Sequence, residues 1–140
     1  MKNERVKKMS EEKFNPLVSF QQSEVDAVLM YQKLSDLAKD PGLKETFKKA
    51  AADEGRHAAI LRSFTGEALK PKSALAVAVS SMARVTGIGF LLKFISDFEY
   101  AAGKKYLPYV KDYPEIADII KDEGTHGDIM YREYLKFKKR

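Results

Sequence analysis

No cysteine occurs among the 140 residues. That absence excludes a disulfide framework, a thiolate zinc site, an iron–sulfur cluster and a rubredoxin-type centre within the chain. It does not locate the protein, because cysteine-free proteins occur in every compartment. The opening stretch MKNERVKKMSEEKF also lacks the apolar core of a secretory signal, so a cytoplasmic protein is expected. Long apolar runs are missing too. The nearest is Ala74 to Leu92, which contains Ser80, Ser81, Arg84, Gly87 and Gly89 and is followed by Lys93. A membrane span needs ~20 predominantly apolar residues. This stretch reads instead as a buried connection and the start of a helix, and no stable membrane insertion is expected.

Charge is not evenly spread. The formal net charge is +5, and much of the excess sits at the ends, in Lys2, Arg5, Lys7 and Lys8 and in Lys136, Lys138, Lys139 and Arg140. These are read as solvated, partly frayed tails rather than as a nucleic-acid surface. Residues 1–14 are assigned to a basic N-terminal tail and 15–140 to one domain, long enough to bury a core.

Histidine is scarce, and its placement is the most informative feature present. There are two, and both close the same signature: Asp53-Glu54-Gly55-Arg56-His57 and Asp122-Glu123-Gly124-Thr125-His126. On a helix, residues three apart share a face. Each signature therefore aims a carboxylate and an imidazole at one point, which is a ligand set for a first-row metal.

Strand alternation is almost absent, and helical periodicity dominates. A first helix opens at Asn15-Pro16, an N-cap followed by a proline suited to the first helical position, and runs to about Lys39. Asp40-Pro41-Gly42 makes the turn. A second helix continues to about Thr65, stopped by Gly66. A connection from Glu67 to about Thr86 has room for a short helix starting near Ser73. A third main helix covers about Gly87 to Leu107, where Pro108 ends or kinks it. The chain restarts at Asp112-Tyr113-Pro114, and a fourth helix runs to about Lys136. Two short turns and one long middle connection predict an all-α four-helix bundle: two antiparallel hairpins joined by a crossover.

The apolar stripes decide where the ligands point. The second-helix stripe is Phe47, Ala50, Ala51, Glu54, His57, Ala58, Leu61 and Phe64. The fourth is Ile116, Ile119, Ile120, Glu123, His126, Met130 and Tyr134. The first, with Leu17, Val28, Tyr31 and Ala38, carries Glu24 inward; the third, with Ile88, Leu91, Leu92, Ile95, Ala102 and Tyr106, carries Glu99 inward. At ~1.5 Å per residue these groups lie level within one or two turns. Four buried carboxylates without a compensating lysine or arginine would repel one another and cost several kcal/mol each. A pair of divalent cations would neutralise them.

One Glu from each of two helices and a Glu-x-x-His from each of the other two resembles the carboxylate-bridged di-metal site of the ferritin-like superfamily. The resemblance spans about Asn15 to Lys136 and is closer to the rubrerythrin branch. In particular, Thr65-Gly-Glu-Ala-Leu-Lys-Pro71 and Thr86-Gly-Ile-Gly-Phe-Leu-Leu-Lys93 resemble the rubrerythrin-like domain found beside vacuolar-iron-transporter-type membrane domains. It implies that Glu54 and Glu123 bridge two metals, with Glu24 and His57 on one and Glu99 and His126 on the other. Mixed oxygen and imidazole ligation suits iron, with manganese or zinc as other occupants. Two departures stand out. Rubrerythrins usually carry a further glutamate one turn from the third-helix ligand, where this chain has Ser96 and Ala102. There is also no rubredoxin domain, so electrons would come from a separate donor protein.

Around the ligands, Tyr31 follows Glu24 by seven residues and Tyr106 follows Glu99 by seven. Each hydroxyl either reaches a ligand carboxylate or belongs to an aromatic core residue. Asp53 and Asp122 either accept an imidazole N–H, on their own helix or across the bundle, or are solvated. Gly55 and Gly124 suggest close helix approach or space near the site, or else are tolerated surface glycines.

Three functions compete: a di-iron enzyme reducing peroxide or dioxygen; a ferroxidase or iron-handling module; and a non-catalytic helical interaction protein. The apolar Ala74–Met82 run predicts a homodimer interface or a segment packed on the bundle. A cage is not expected, for want of a clear fifth helix after the bundle.

Overall fold

The computed structural model describes residues 15–140; the N-terminal tail assigned to residues 1–14 lies outside the described residues. Helix α1 spans Pro16–Leu37, α2 Pro41–Thr65, α3 Ala74–Thr86, α4 Ile88–Tyr106 and α5 Ile116–Lys138. A 3-10 turn, Leu107–Tyr109, follows α4. The architecture is the expected all-α ferritin-like bundle. α1 packs along α2, α4 packs along α5, and α3 crosses between the two hairpins against α1 and α4.

Local chemistry explains the boundaries. Asn15 caps α1, its Oδ1 accepting the Leu17 N–H at 3.0 Å, with Pro16 in the first turn, where a missing N–H costs nothing. α1 stops at Leu37, two residues earlier than the periodicity predicts, because Asp40 turns out to cap α2. Asp40 Oδ2 accepts the Leu43 N–H at 2.8 Å, and Pro41 opens that helix. Gly66, at φ 71°, closes α2 in the left-handed region that an L side chain resists. Gly87, at φ 84°, lets the chain turn sharply between α3 and α4. The apolar run of the connection is thus a full helix of 13 residues rather than a short one, and Gly87 divides it from α4. No helix among the described residues is long and apolar enough to cross a membrane.

The core has two apolar clusters. Tyr31, Leu34, Phe47, Leu91, Ile95 and Met130 belong to the larger. Leu17, Leu61, Phe64, Tyr106, Ile116 and Ile119 belong to the smaller, at the other end of the bundle. Glu24, Glu54, His57, Glu99, Glu123 and His126 fall between these clusters in sequence on their helices. The stripes are largely as expected, with Val28, Ala58, Ile88, Ala102, Ile120 and Tyr134 only half-buried at their edges.

Candidate metal centre

Six side chains from four helices meet in the middle of the bundle. Glu24 comes from α1, Glu54 and His57 from α2, Glu99 from α4, and Glu123 and His126 from α5; none is more than 4% exposed. They form two groups of four, Glu24, Glu54, His57 and Glu123, and Glu54, Glu99, Glu123 and His126, each with its ligand atoms within 4.8 Å of one another. The groups share Glu54 and Glu123. His57 Nδ1 lies 3.1 Å from Glu123 Oε1, 3.4 Å from Glu54 Oε1 and 3.5 Å from Glu24 Oε2. His126 Nδ1 lies 3.2 Å from Glu54 Oε1, 3.5 Å from Glu99 Oε2 and 3.7 Å from Glu123 Oε1.

The donor set fits metal ions by a direct criterion. Glu24 Oε2, Glu54 Oε1, His57 Nδ1, Glu99 Oε2, Glu123 Oε1 and His126 Nδ1 are all buried without a hydrogen-bond partner. Buried polar atoms are nearly always partnered. One such atom from each of six residues, all converging, is what a pair of carboxylate- and imidazole-bound cations requires.

The remaining polar atoms of these residues are held, and the supports cross the bundle. Tyr31 on α1 donates to Glu99 Oε1 on α4 in a short hydrogen bond. Tyr106 on α4 donates to Glu24 Oε1 on α1 at 2.6 Å. Each tyrosine therefore serves the other hairpin's glutamate, not the one on its own helix. The aspartates cross likewise. His57 Nε2 lies 2.8 Å from Asp122 Oδ2, and His126 Nε2 lies 2.8 Å from Asp53 Oδ2. An aspartate on Nε2 selects the tautomer that carries its proton there and leaves Nδ1 as the metal donor.

Burial and the Glu54 charge push the Glu24 carboxyl up to about 8, against a partial offset from His57. Burial also dominates at Glu123; with the charges of Glu24, Glu54 and Glu99, and despite a His57 contact, it is pushed up to about 12. At Glu54 burial acts the same way, but the two imidazoles outweigh it and hold it well below the usual carboxylate range. Burial disfavours charge on both histidines, yet the carboxylates prevail. Glu123, Glu24 and Glu54 hold His57 far above its ordinary value, and Glu54 and Glu99 lift His126 to about 10. Desolvation would raise Asp53 and Asp122; contacts with His126 and Lys49, and with His57 and Arg56, keep both low. Burial and the neighbouring glutamates raise Tyr31 and Tyr106, so both stay protonated as donors.

Of the readings offered for Gly55 and Gly124, close helix approach does not hold, and both positions have room beside them. A Cβ on Gly124 would meet nothing within 4 Å, and one on Gly55 only Val28 Cγ2 at 3.8 Å. A tight glycine beside the site is Gly127, where a Cβ would lie 2.6 Å from the Tyr100 ring. Its carbonyl accepts the buried Ser96 hydroxyl at 2.8 Å, tying α4 to α5 one residue from His126. Sequence reasoning also passed over Arg56, whose guanidinium contacts Asp122 at 2.6 Å and Asp53 at 3.3 Å. The signal was available, because position four is where the two signatures differ, Arg56 against Thr125.

Fold and site together define a ferritin-like bundle with a Glu/His cluster able to hold metal. The rubrerythrin family model matches residues 17–135, and the chain belongs to the rubrerythrin family, whose members typically bind iron. Comparison with curated proteins and with solved structures gave no match.

Proposed function

We propose that this protein is a non-haem di-iron oxidoreductase that reduces peroxide or dioxygen with electrons from a separate donor protein in the cytoplasm. In this reading Glu54 and Glu123, common to both groups, would serve both metals, with Glu24 and His57 completing one half-site and Glu99 and His126 the other. The observation that carries it is the convergence of six partnerless buried ligand atoms from four helices. A ferrous pair held there would supply two electrons to the oxidant and stabilise the charge that develops on its oxygens.

The chain's own part is to hold and shield that pair. Tyr31 and Tyr106 fix the Glu99 and Glu24 carboxylates, and Asp122 and Asp53 fix the imidazoles. Apolar clusters at both ends of the ligand layer exclude bulk water. A cavity of about 310 Å³ between α2 and α5, lined by Asp53, Asp122, His126 and Met130, adjoins the site. We further propose a homodimer formed through the outer face of α3.

A ferroxidase or iron-handling role is the second reading. It is favoured by Ser96 and Ala102, which stand where rubrerythrins offer an additional glutamate near the third-helix ligand. A helical interaction protein without metal is the third.

Anaerobic titration of chelator-stripped protein with Fe(II), followed by peroxide and a reductant, separates the readings. The proposal expects about two irons per chain by the donor set's stoichiometry, multiple peroxide turnovers, and loss of binding in Glu54→Ala and Glu123→Ala. Stoichiometric oxidation without turnover moves the assignment to iron handling. Absence of binding leaves a structural bundle.

A further inference from the structure

The two ligand signatures are not equivalent, and the difference lies in one side chain. Asp122 Oδ2 accepts from His57 Nε2 at 2.8 Å and, on the same oxygen, from Arg56 Nη2 at 2.6 Å. Arg56 Nη2 also lies 3.3 Å from Asp53 Oδ1, so one guanidinium spans the aspartates that orient both imidazoles. The partner aspartate of His126 has a weaker guard. Asp53 Oδ2 meets Lys49 Nζ at 3.2 Å, on a lysine whose side chain is 76% exposed. Thr125, which occupies the Arg56 position in the second signature, turns its hydroxyl to Lys121 O instead.

A planar guanidinium fixes a carboxylate's direction as an ammonium does not, because its N–H groups are rigidly spread. Asp122 is only partly buried, at 27% side-chain exposure. Without Arg56 it would be free to rotate towards solvent and release the His57 N–H. We propose that Arg56 is a positioning residue for the His57 half-site. It clamps Asp122 across the α2–α5 seam, holds the His57 ring with Nδ1 facing the ligand cluster, and thereby makes the two metal positions unequal.

This inference rests on the di-metal reading, and the experiment keeps the two apart. Chelator-stripped wild type, Arg56→Met and Arg56→Lys are titrated with Co(II) and followed by visible absorption. His57→Gln and His126→Gln identify which binding step belongs to which half-site. In Arg56→Met the His57 step weakens by about 10-fold or more, as loss of a ligand's outer partner does, while the His126 step moves less than about 3-fold by the same comparison. Arg56→Lys restores part of the loss. Histidine-selective ¹⁵N spectra of the Zn(II)-loaded protein show the His57 Nε2–H protected from exchange in wild type and exchanging rapidly in Arg56→Met.

If wild type takes up no Co(II), the di-metal reading itself fails. If wild type binds two ions and Arg56→Met binds both with unchanged affinity and an unchanged His57 signal, Arg56 is a surface residue and the inference alone is overturned. Equal weakening of both steps overturns the asymmetry. Should Arg56→Met fail to fold, Arg56→Lys decides: selective weakening of the His57 step supports the proposal, and wild-type behaviour at both steps rejects it.

Discussion

Protons and metal ions compete for the same six side chains, and that competition has a sign. In protein stripped of metal by a chelator, Glu24 and Glu123 hold protons that unfolded glutamates have lost by neutral pH, because burial raises them to about 8 and about 12. His126, raised to about 10 by Glu54 and Glu99, also holds its proton longer folded than unfolded. A group whose folded-state pKa is raised stabilises the fold below its unfolded pKa and loses that contribution as pH climbs to the folded one. The stripped protein should therefore lose stability continuously from about pH 5 to about pH 12, where Glu123 finally gives up its proton, by roughly 1.4 kcal/mol per pH unit for each extra proton the native state holds. Metal loading should release protons from Glu24, Glu123, His57 and His126, so affinity should rise with pH. Melting curves at stepped pH, with and without Zn(II), check both; a stripped protein that gains stability towards alkaline pH would contradict the assignment of the raised groups. The signatures placed Glu54, His57, Glu123 and His126 on inward faces by spacing alone, and the apolar stripes added Glu24 and Glu99. They did not reveal that each tyrosine and aspartate serves the opposite hairpin, since helix periodicity names a face but not the side chain waiting across it.

At the scale of the helix, two glycines three residues apart on α5 mean different things. Gly124 lies in the middle of α5 with nothing within 4 Å of a built Cβ, so Gly124→Ala should raise stability by up to about 1 kcal/mol through helix propensity alone. Gly127, three residues on, is covered by the Tyr100 ring, whose hydroxyl bonds Asp128. Gly127→Ala should push that ring away and cost about 1 kcal/mol or more despite the better propensity. Urea denaturation of the two variants reads the contrast, and equal effects would mean that Tyr100 yields freely. The helix ends were legible where their chemistry is local, as at Asn15 and Gly66. The full length of α3 was not, because an Ala- and Val-rich segment carries no caps of its own. It is helical because Ala76, Val79, Ser80 and Ala83 pack inward, and that depends on what α1 and α4 offer.

For the whole molecule, the two faces of α3 set the expected assembly. One face packs on the bundle; the other exposes Ala74, Val77, Ala78, Ser81, Met82 and Val85, with the exposed Arg84 at its border. Phe90 and Phe94 on α4 are also exposed. Apolar surface of this continuity favours association, which is the ground for the proposed homodimer. Sedimentation equilibrium should find wild type as a dimer and Met82→Asp/Val85→Asp as a monomer that still binds iron; a monomeric wild type would remove the proposal.

What the sequence determined by itself was periodicity and composition: helices, their inward faces, and the level at which carboxylates and imidazoles meet. Those follow from the 3.6-residue repeat and from the cost of burying charge, which any reader of the chain can apply. What only the tertiary structure decided was partnership between helices far apart in sequence. The Tyr106–Glu24 and Asp122–His57 contacts and the Arg56 clamp each depend on how α1 and α2 sit against α4 and α5, and the Tyr100 cover over Gly127 on how α4 sits against α5. That placement comes from the packing of whole faces, and no local pattern encodes it.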